Sequence, residues 1–240
     1  MRDQPVITSN VARFLSALDS LSAQARSGRS GEAMGLLWGE PGEGKTTAVA
    51  LAANLHAGIY LRARVTWSVT TMLGALMEEL GFAPLARRNA MLDAAARSLA
   101  QRPRPVFVDE ADYLFRQTEM LDALRDLYDV ARVPIVLIGM GDMPRRVRAD
   151  RKFARFERRI TEWVEFSGLT LDDARKVASD LCEVEVADDL VAHLFERVGG
   201  SVGRFVNELS AAERVARTNG LSRLARADYA RTGAPGGRAA

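Results

Sequence analysis

The stretch MGLLWGEPGEGKT, residues 34–46, joins a short apolar run to a glycine-rich turn that closes on lysine and threonine. The apolar run, Met34 to Gly39, has the length and bounding glycine of a buried strand. The turn from Gly39 to Thr46 fits the pattern G-x-x-x-x-G-K-[ST]. Its glycines let the backbone wrap so that N–H groups converge on phosphate oxygens. The segment after it, TTAVALAANL (46–55), reads as a helix whose N-terminal end adds partial positive charge. The expected phosphate-binding positions are Gly39, Glu40, Pro41, Gly42, Glu43, Gly44, Lys45, Thr46 and Thr47. The Lys45 ammonium would bridge the β- and γ-phosphates of ATP, and the Thr46 hydroxyl would bind Mg2+. Lysine occurs only at 45, 152 and 176, and arginine supplies the rest of the 33 basic residues. A forked guanidinium cannot replace a compact ammonium in such a turn, which accounts for lysine at 45.

Outward from this stretch, four more apolar runs predict strands: 58–63, 105–110, 134–139 and 161–166. The run PVFVDE (105–110) ends in two carboxylates. In a parallel α/β sheet such a strand end lies beside the phosphate turn. Asp109 would then hold Mg2+ with Thr46, and Glu110 would orient or deprotonate the attacking water. Between the strands, helical spacing is expected after Ser9-Asn10, from Thr66 or Ser68 to Leu80, over 86–100, and through Leu121, Leu124, Leu127 and Tyr128. Five strands alternating with helices predict an α/β fold with a mostly parallel sheet.

After Gly168 the pattern predicts helices only. Thr170 to Asp173 resembles a capping box, and apolar stripes run through Leu171, Ala174, Val177 and Leu181, then Leu190, Val191, Leu194, Phe195 and Val198, then Phe205, Val206, Leu209 and Val215. The expected organisation is a helical lead-in at 1–30, with a loop at GRSGE, a nucleotide-binding core at 31–166, a small helical lid at 167–230 and a disordered tail at 231–240.

Composition narrows the function classes. No apolar run reaches the roughly 18 residues that a membrane helix requires. The opening MRDQPVITSN lacks the apolar region of a secretory signal, so a cytoplasmic location is expected. A single cysteine, Cys182, excludes an internal disulfide and reads as a small core residue. The net charge of +2 conceals a basic segment, Arg145 to Arg159 (RRVRADRKFARFERR), with eight basic and two acidic residues, which suits an anionic partner. An arginine within FARFERRI, Arg158 or Arg159, could reach a neighbouring subunit's nucleotide. Arg204, within GGSVGR, could report the γ-phosphate from the lid.

These four elements, in this order, resemble the AAA+ ATPases over roughly residues 30–230. GEPGEGKT looks like Walker A, VFVDEAD like Walker B, ERRI like the arginine-finger region and GGSVGRF like sensor 2. Within that class, TSNVARFLSALD, VDEADYL with LDALRDLYDVARVPIVLIGMGDM, and FARFERRITEWVEF are similar to the transposition target-selector ATPases, the B protein of Mu-like phages and its transposon relatives. The resemblance implies a P-loop α/β core with a helical lid, ATP and Mg2+ as ligands, and a homo-oligomeric ring or filament. It also implies double-stranded DNA and a transposase as partners. Arg62, Arg64, Arg87, Arg88, Arg145, Arg146, Arg148 and Arg151 are then candidate phosphate contacts. Trp67 reads as a base-stacking residue or a buried aromatic. Two departures stand out. The polar sensor-1 place after the fourth strand is Met140, whose thioether cannot orient water; slow or partner-stimulated hydrolysis follows, with Asp142 as the substitute. The roughly 30 residues before the core are also too few for the DNA-binding helical domain of the Mu-type protein. The other readings are a nucleotide-gated assembly switch that does not act on DNA, and a helicase loader or replication initiator. A nucleotide kinase fits poorly, because no second substrate site is evident.

Overall fold

A computed structural model describes residues 1–27 and 32–231. The expected GRSGE loop, apart from Glu32, and the expected disordered tail, apart from Arg231, lie outside the described residues. Two compact units are present: one comprises Ala12–Glu40 with Lys45–Phe166, the other Met1–Val11, Pro41–Gly44 and Ser167–Ala240.

The larger unit is built on five parallel strands: β1 (Met34–Gly39), β2 (Ile59–Arg62), β3 (Val106–Asp109), β4 (Ile135–Gly139) and β5 (Ile160–Phe166). Their order across the sheet is β2-β3-β4-β1-β5. This is the parallel α/β P-loop fold that the alternation of strand and helix predicts. The central strands are apolar on both faces, as a sheet covered on both sides requires, and β3 and β4 are buried at every position.

Helix α1 (Ser9–Ser27) is longer than the short helical stretch expected, because its apolar positions continue through Leu21 and Ala25. Its Phe14 meets Phe107 and Phe166 edge to face, at 6.3 and 6.4 Å. Capping comes from Thr8, one residue before the expected Ser9-Asn10: the Val11 N–H reaches Thr8 Oγ1 at 3.4 Å. Helix α2 (Lys45–Leu55) begins at the lysine of the glycine-rich turn. Helix α3 (Val69–Glu79) starts at Ser68, which forms a capping box with Thr71, and Gly81 follows its end at φ +85°. Helices α4 (Arg88–Gln101) and α5 (Thr118–Ala131) follow, then the short helices α6 (Met143–Ala149) and α7 (Ala154–Glu157).

In the second unit, α8 (Leu171–Leu181), α9 (Asp188–Val198), α10 (Val202–Thr218) and α11 (Arg226–Arg231) surround an apolar core of Val177, Leu190, Leu194, Phe205, Leu209 and Tyr229. The helices-only expectation is corrected here. Two-residue strands β6 (Glu185–Val186) and β7 (Arg223–Leu224) pair in parallel, and pairings this short leave no alternation to read. The Thr170–Asp173 capping box is present, and buried Asp173 also accepts bonds from Ser9 N and Oγ at 2.7 and 2.6 Å. Burial alone would raise the Asp173 pKa; the bonds from Ser9 and Thr170 outweigh it and hold the carboxyl below its ordinary value. The Gly203 N–H donates to the Gly42 carbonyl at 2.9 Å. Among the described residues, no helix is long and apolar enough to cross a membrane.

Candidate functional site

Strand β3 delivers Asp109 at its last position, 5% exposed, where apolar Val106, Phe107 and Val108 anchor it. The Thr46 hydroxyl, on the first turn of α2, donates to Asp109 Oδ2 at 3.0 Å. The threonine and carboxylate that the sequence separates by 63 residues are therefore in direct contact. Lys45, one residue earlier, donates from Nζ to the carbonyls of Gly39 and Glu40 at 2.7 and 2.8 Å. Gly42 and Gly44 take φ +86° and +84°, a conformation that a side chain would strain.

Two further groups complete the carboxylate's surroundings. Tyr60, on β2, donates its hydroxyl to Asp109 Oδ2 at 2.8 Å. Burial first, and the bond to Asp109 second, push the phenol's pKa above its ordinary value, so it is a protonated donor. The Glu110 N–H donates to Asp109 Oδ1 at 2.8 Å. Glu110 does not continue the strand, as expected from the sequence, but turns left-handed at φ +54°. That conformation is costly for a non-glycine residue and is concentrated at functional sites. The Glu110 side chain meets Arg62, whose Nε and Nη2 donate to Oε1 at 3.1 and 2.5 Å.

Beside this cluster, β4 ends at Gly139 and Met140. The Met140 N–H donates to Asp112 Oδ2 at 3.1 Å, and the Met140 side chain is 42% exposed. A Cβ on Gly139 would lie 1.8 Å from Met143 Sδ and 2.5 Å from Asp112 Oδ2, so any side chain there would displace both. Asp112 is mostly buried, with Oδ1 3.6 Å from Arg146 Nη1. Desolvation is the largest influence on its carboxyl and raises its pKa.

The remaining expected residues are distributed as follows. Arg158 is exposed at the end of α7, whereas Arg159 is half-buried and bonded to Asp129 at 3.3 and 3.4 Å. Arg204 is exposed in the first turn of α10. Of the expected phosphate contacts, Arg64, Arg87, Arg88, Arg145 and Arg151 are exposed. Arg62 instead pairs with Glu110, Arg146 lies against Asp112 and the Phe115 ring, and Arg148 stacks 4.3 Å from the Trp163 ring centre. Trp67 is buried and is a core aromatic, not a stacking platform. Asp142 flanks α6 at its N-cap, exposed and without a capping bond from its side chain. The sequence does not by itself single out Tyr60 or Asp112. The period of two along β2 places Tyr60 and Arg62 on one face, and that was the available signal.

Thr46 and Asp109 are hard oxygen donors, and among the described residues no cluster of three or more His, Cys, Asp or Glu could hold a metal. A hydroxyl and one carboxylate suit Mg2+, which keeps waters and takes phosphate oxygens as its other ligands.

Fold and strand-end chemistry together define a P-loop nucleotide-binding protein. A family model described as an AAA domain matches residues 27–147, half of the chain, and the chain belongs to this family of P-loop ATPases. No curated protein matches it. Among solved structures it is similar to Cdc6p from Pyrobaculum aerophilum, at 19% identity and TM-score 0.68, covering 95% of this chain and 67% of that one. It is also similar to ORC1 of Aeropyrum pernix, solved in complex with DNA, at 18% identity and TM-score 0.65 over 95% and 65%. The RuvB Holliday junction branch migration motor of Thermotoga maritima follows at 18% identity and TM-score 0.59 over 95% and 68%. The chain thus spans about two thirds of these proteins, and at such identities the likeness is one of fold.

Proposed function

We propose that this protein is an ATP-hydrolysing AAA+ protein that binds double-stranded DNA in its ATP state, assembles there as a homo-oligomer, and leaves on hydrolysis. The observation that carries the reading is the Thr46–Asp109 contact beside Lys45 and Glu110. Lys45 would neutralise the β- and γ-phosphates, and Thr46 and Asp109 would hold Mg2+, whose charge, when bound, would screen the phosphate oxygens. Glu110 orients the attacking water. Arg158 is the residue offered to a neighbouring subunit, because Arg159 is engaged by Asp129. Arg204 reads the γ-phosphate from the lid. The exposed arginines favour phosphate contacts, which bring little sequence preference and steep salt dependence.

The finer reading is that DNA bound in this way is selected or activated as a target for a transposase. It is supported by the wording of FARFERRITEWVEF and of the segment after VDEADYL. A replication-initiator role is the second reading, favoured by the likeness to Cdc6p and ORC1.

The test is binding to a random-sequence duplex with ATP and Mg2+, with ADP, and with Lys45→Ala, each at two salt concentrations. Binding that requires ATP, fails in the variant and weakens steeply with salt is expected. Binding of ATP with indifference to DNA in every nucleotide state would leave the nucleotide-gated switch. Stimulation of strand transfer when the protein is added to a purified transposase and its donor DNA would separate target selection from replication initiation.

A further inference from the structure

Three bonds converge on the Asp109 carboxylate, and they are not evenly divided. Oδ2 accepts two hydroxyls, Thr46 at 3.0 Å and Tyr60 at 2.8 Å, while Oδ1 accepts the Glu110 N–H at 2.8 Å. A carboxylate oxygen offers about two lone-pair directions. Oδ2 is therefore saturated, and Oδ1 keeps one direction for a further donor. Thr46, by giving its proton to Oδ2, keeps its own oxygen lone pairs for a cation. The torsion that turns a carboxylate about its last bond is broad and soft, so Thr46 alone would not fix which oxygen faces inward.

We propose that Tyr60 is a positioning residue of the nucleotide–metal site, holding Asp109 so that Oδ1 receives a water ligand of the bound cation. The inference rests on the nucleotide reading above. Tyr60 touches neither phosphate nor cation in this role; it acts through Asp109. Its place on β2, hydrogen-bonded to β3 with Tyr60 opposite Phe107, brings the phenol to the carboxylate from the next strand. A phenylalanine there keeps the ring and its packing and loses only the donor. Outer-shell partners of this kind set metal affinity by roughly tenfold or more.

The experiment measures a fluorescent ATP analogue binding to the full chain while Mg2+ is titrated, for the wild type, Tyr60→Phe and Lys45→Ala. Metal-free melting is recorded for each protein. In Tyr60→Phe, the Mg2+ concentration at half-maximal binding rises roughly tenfold. Binding in excess chelator stays unchanged, and metal-free melting stays within about 4 °C of the wild type, as loss of one hydrogen bond implies. A half-point equal to that of the wild type overturns the role of Tyr60 and leaves the nucleotide site intact. A wild type that binds no more analogue than Lys45→Ala at any Mg2+ concentration overturns the nucleotide reading and this inference with it.

Discussion

Strands β3 and β4 lie side by side in the sheet, and their carboxyl ends are furnished in opposite ways. At the end of β3 the side chains carry the polar chemistry: Asp109 and Glu110, met by Thr46, Tyr60 and Arg62. At the end of β4 the backbone is what is held, with the Met140 N–H on Asp112 and the Met140 thioether left in solvent. One end is equipped to act on a ligand through its side chains. The other is pinned in place, and the Met140 side chain that it presents cannot orient water.

The sharpest way to break this contrast is Glu110→Gln. If β3 supplies the base, phosphate release falls by roughly 10²- to 10⁴-fold while fluorescent-nucleotide binding persists. A rate within a few-fold of the wild type would move the chemistry elsewhere. Next in size is Asp173, a buried carboxylate as richly bonded as Asp109 but placed in the helical unit. Asp173→Asn is expected to cost about 1–3 kcal/mol in chemical denaturation without changing Mg2+ dependence. Because the folded pKa of Asp173 lies below its unfolded value of about 3.9, its stabilisation is fully present above that value and is lost as pH falls through the folded pKa. The gap between wild type and Asp173→Asn should therefore hold from pH 7 down to about 4 and narrow as the pH falls below about 3.9.

At β4, Asp112→Ala orphans the Met140 N–H and should lower stability by about 1–2 kcal/mol, read from the urea midpoint; Asp112→Asn, which keeps an acceptor, should lose less. Met140→Asn restores a polar group at the strand end and is expected to raise hydrolysis up to about tenfold, well short of the Glu110 effect. No gain would mean that the backbone at this end, rather than its side chain, limits the rate. The smallest effect concerns Cys182. Burial first, and the nearby Glu213 second, push its thiol up to about 11, so native protein should label far more slowly than unfolded protein with a thiol reagent at pH 8.

How much of this was legible follows the same division. The phosphate turn, five strands and the Asp109–Thr46 partnership could be read because each rests on a local pattern: an apolar run, a fixed glycine spacing, a carboxylate at a strand end. The period of two puts Tyr60 on one face with Arg62, but the roles of Tyr60 and Asp112 are not legible, since they depend on which strands become neighbours, and β2 meets β3 only after the chain has passed through two helices. That Arg159 is engaged while Arg158 is exposed also depends on a tertiary partner, Asp129, thirty residues away. The β6–β7 pair was invisible because two residues cannot display a period. Glu110 reads as the last residue of the strand because nothing in its type announces a left-handed turn.

The edge position of β2 has one more consequence. Tyr60 and Arg62 stand two residues apart and serve Asp109 and Glu110 from a strand of only four residues with a neighbour on one side. A slip of one residue would turn both away and present Leu61 instead. Ile59 bonding to Pro105 and Ala63 bonding to Asp109, together with a Gly58 too close to Phe107 for any Cβ, guard against that slip. The alignment of a minor edge strand is thus a chemical setting, and a change as remote as Gly58→Ala would detune the carboxylates without touching either of them.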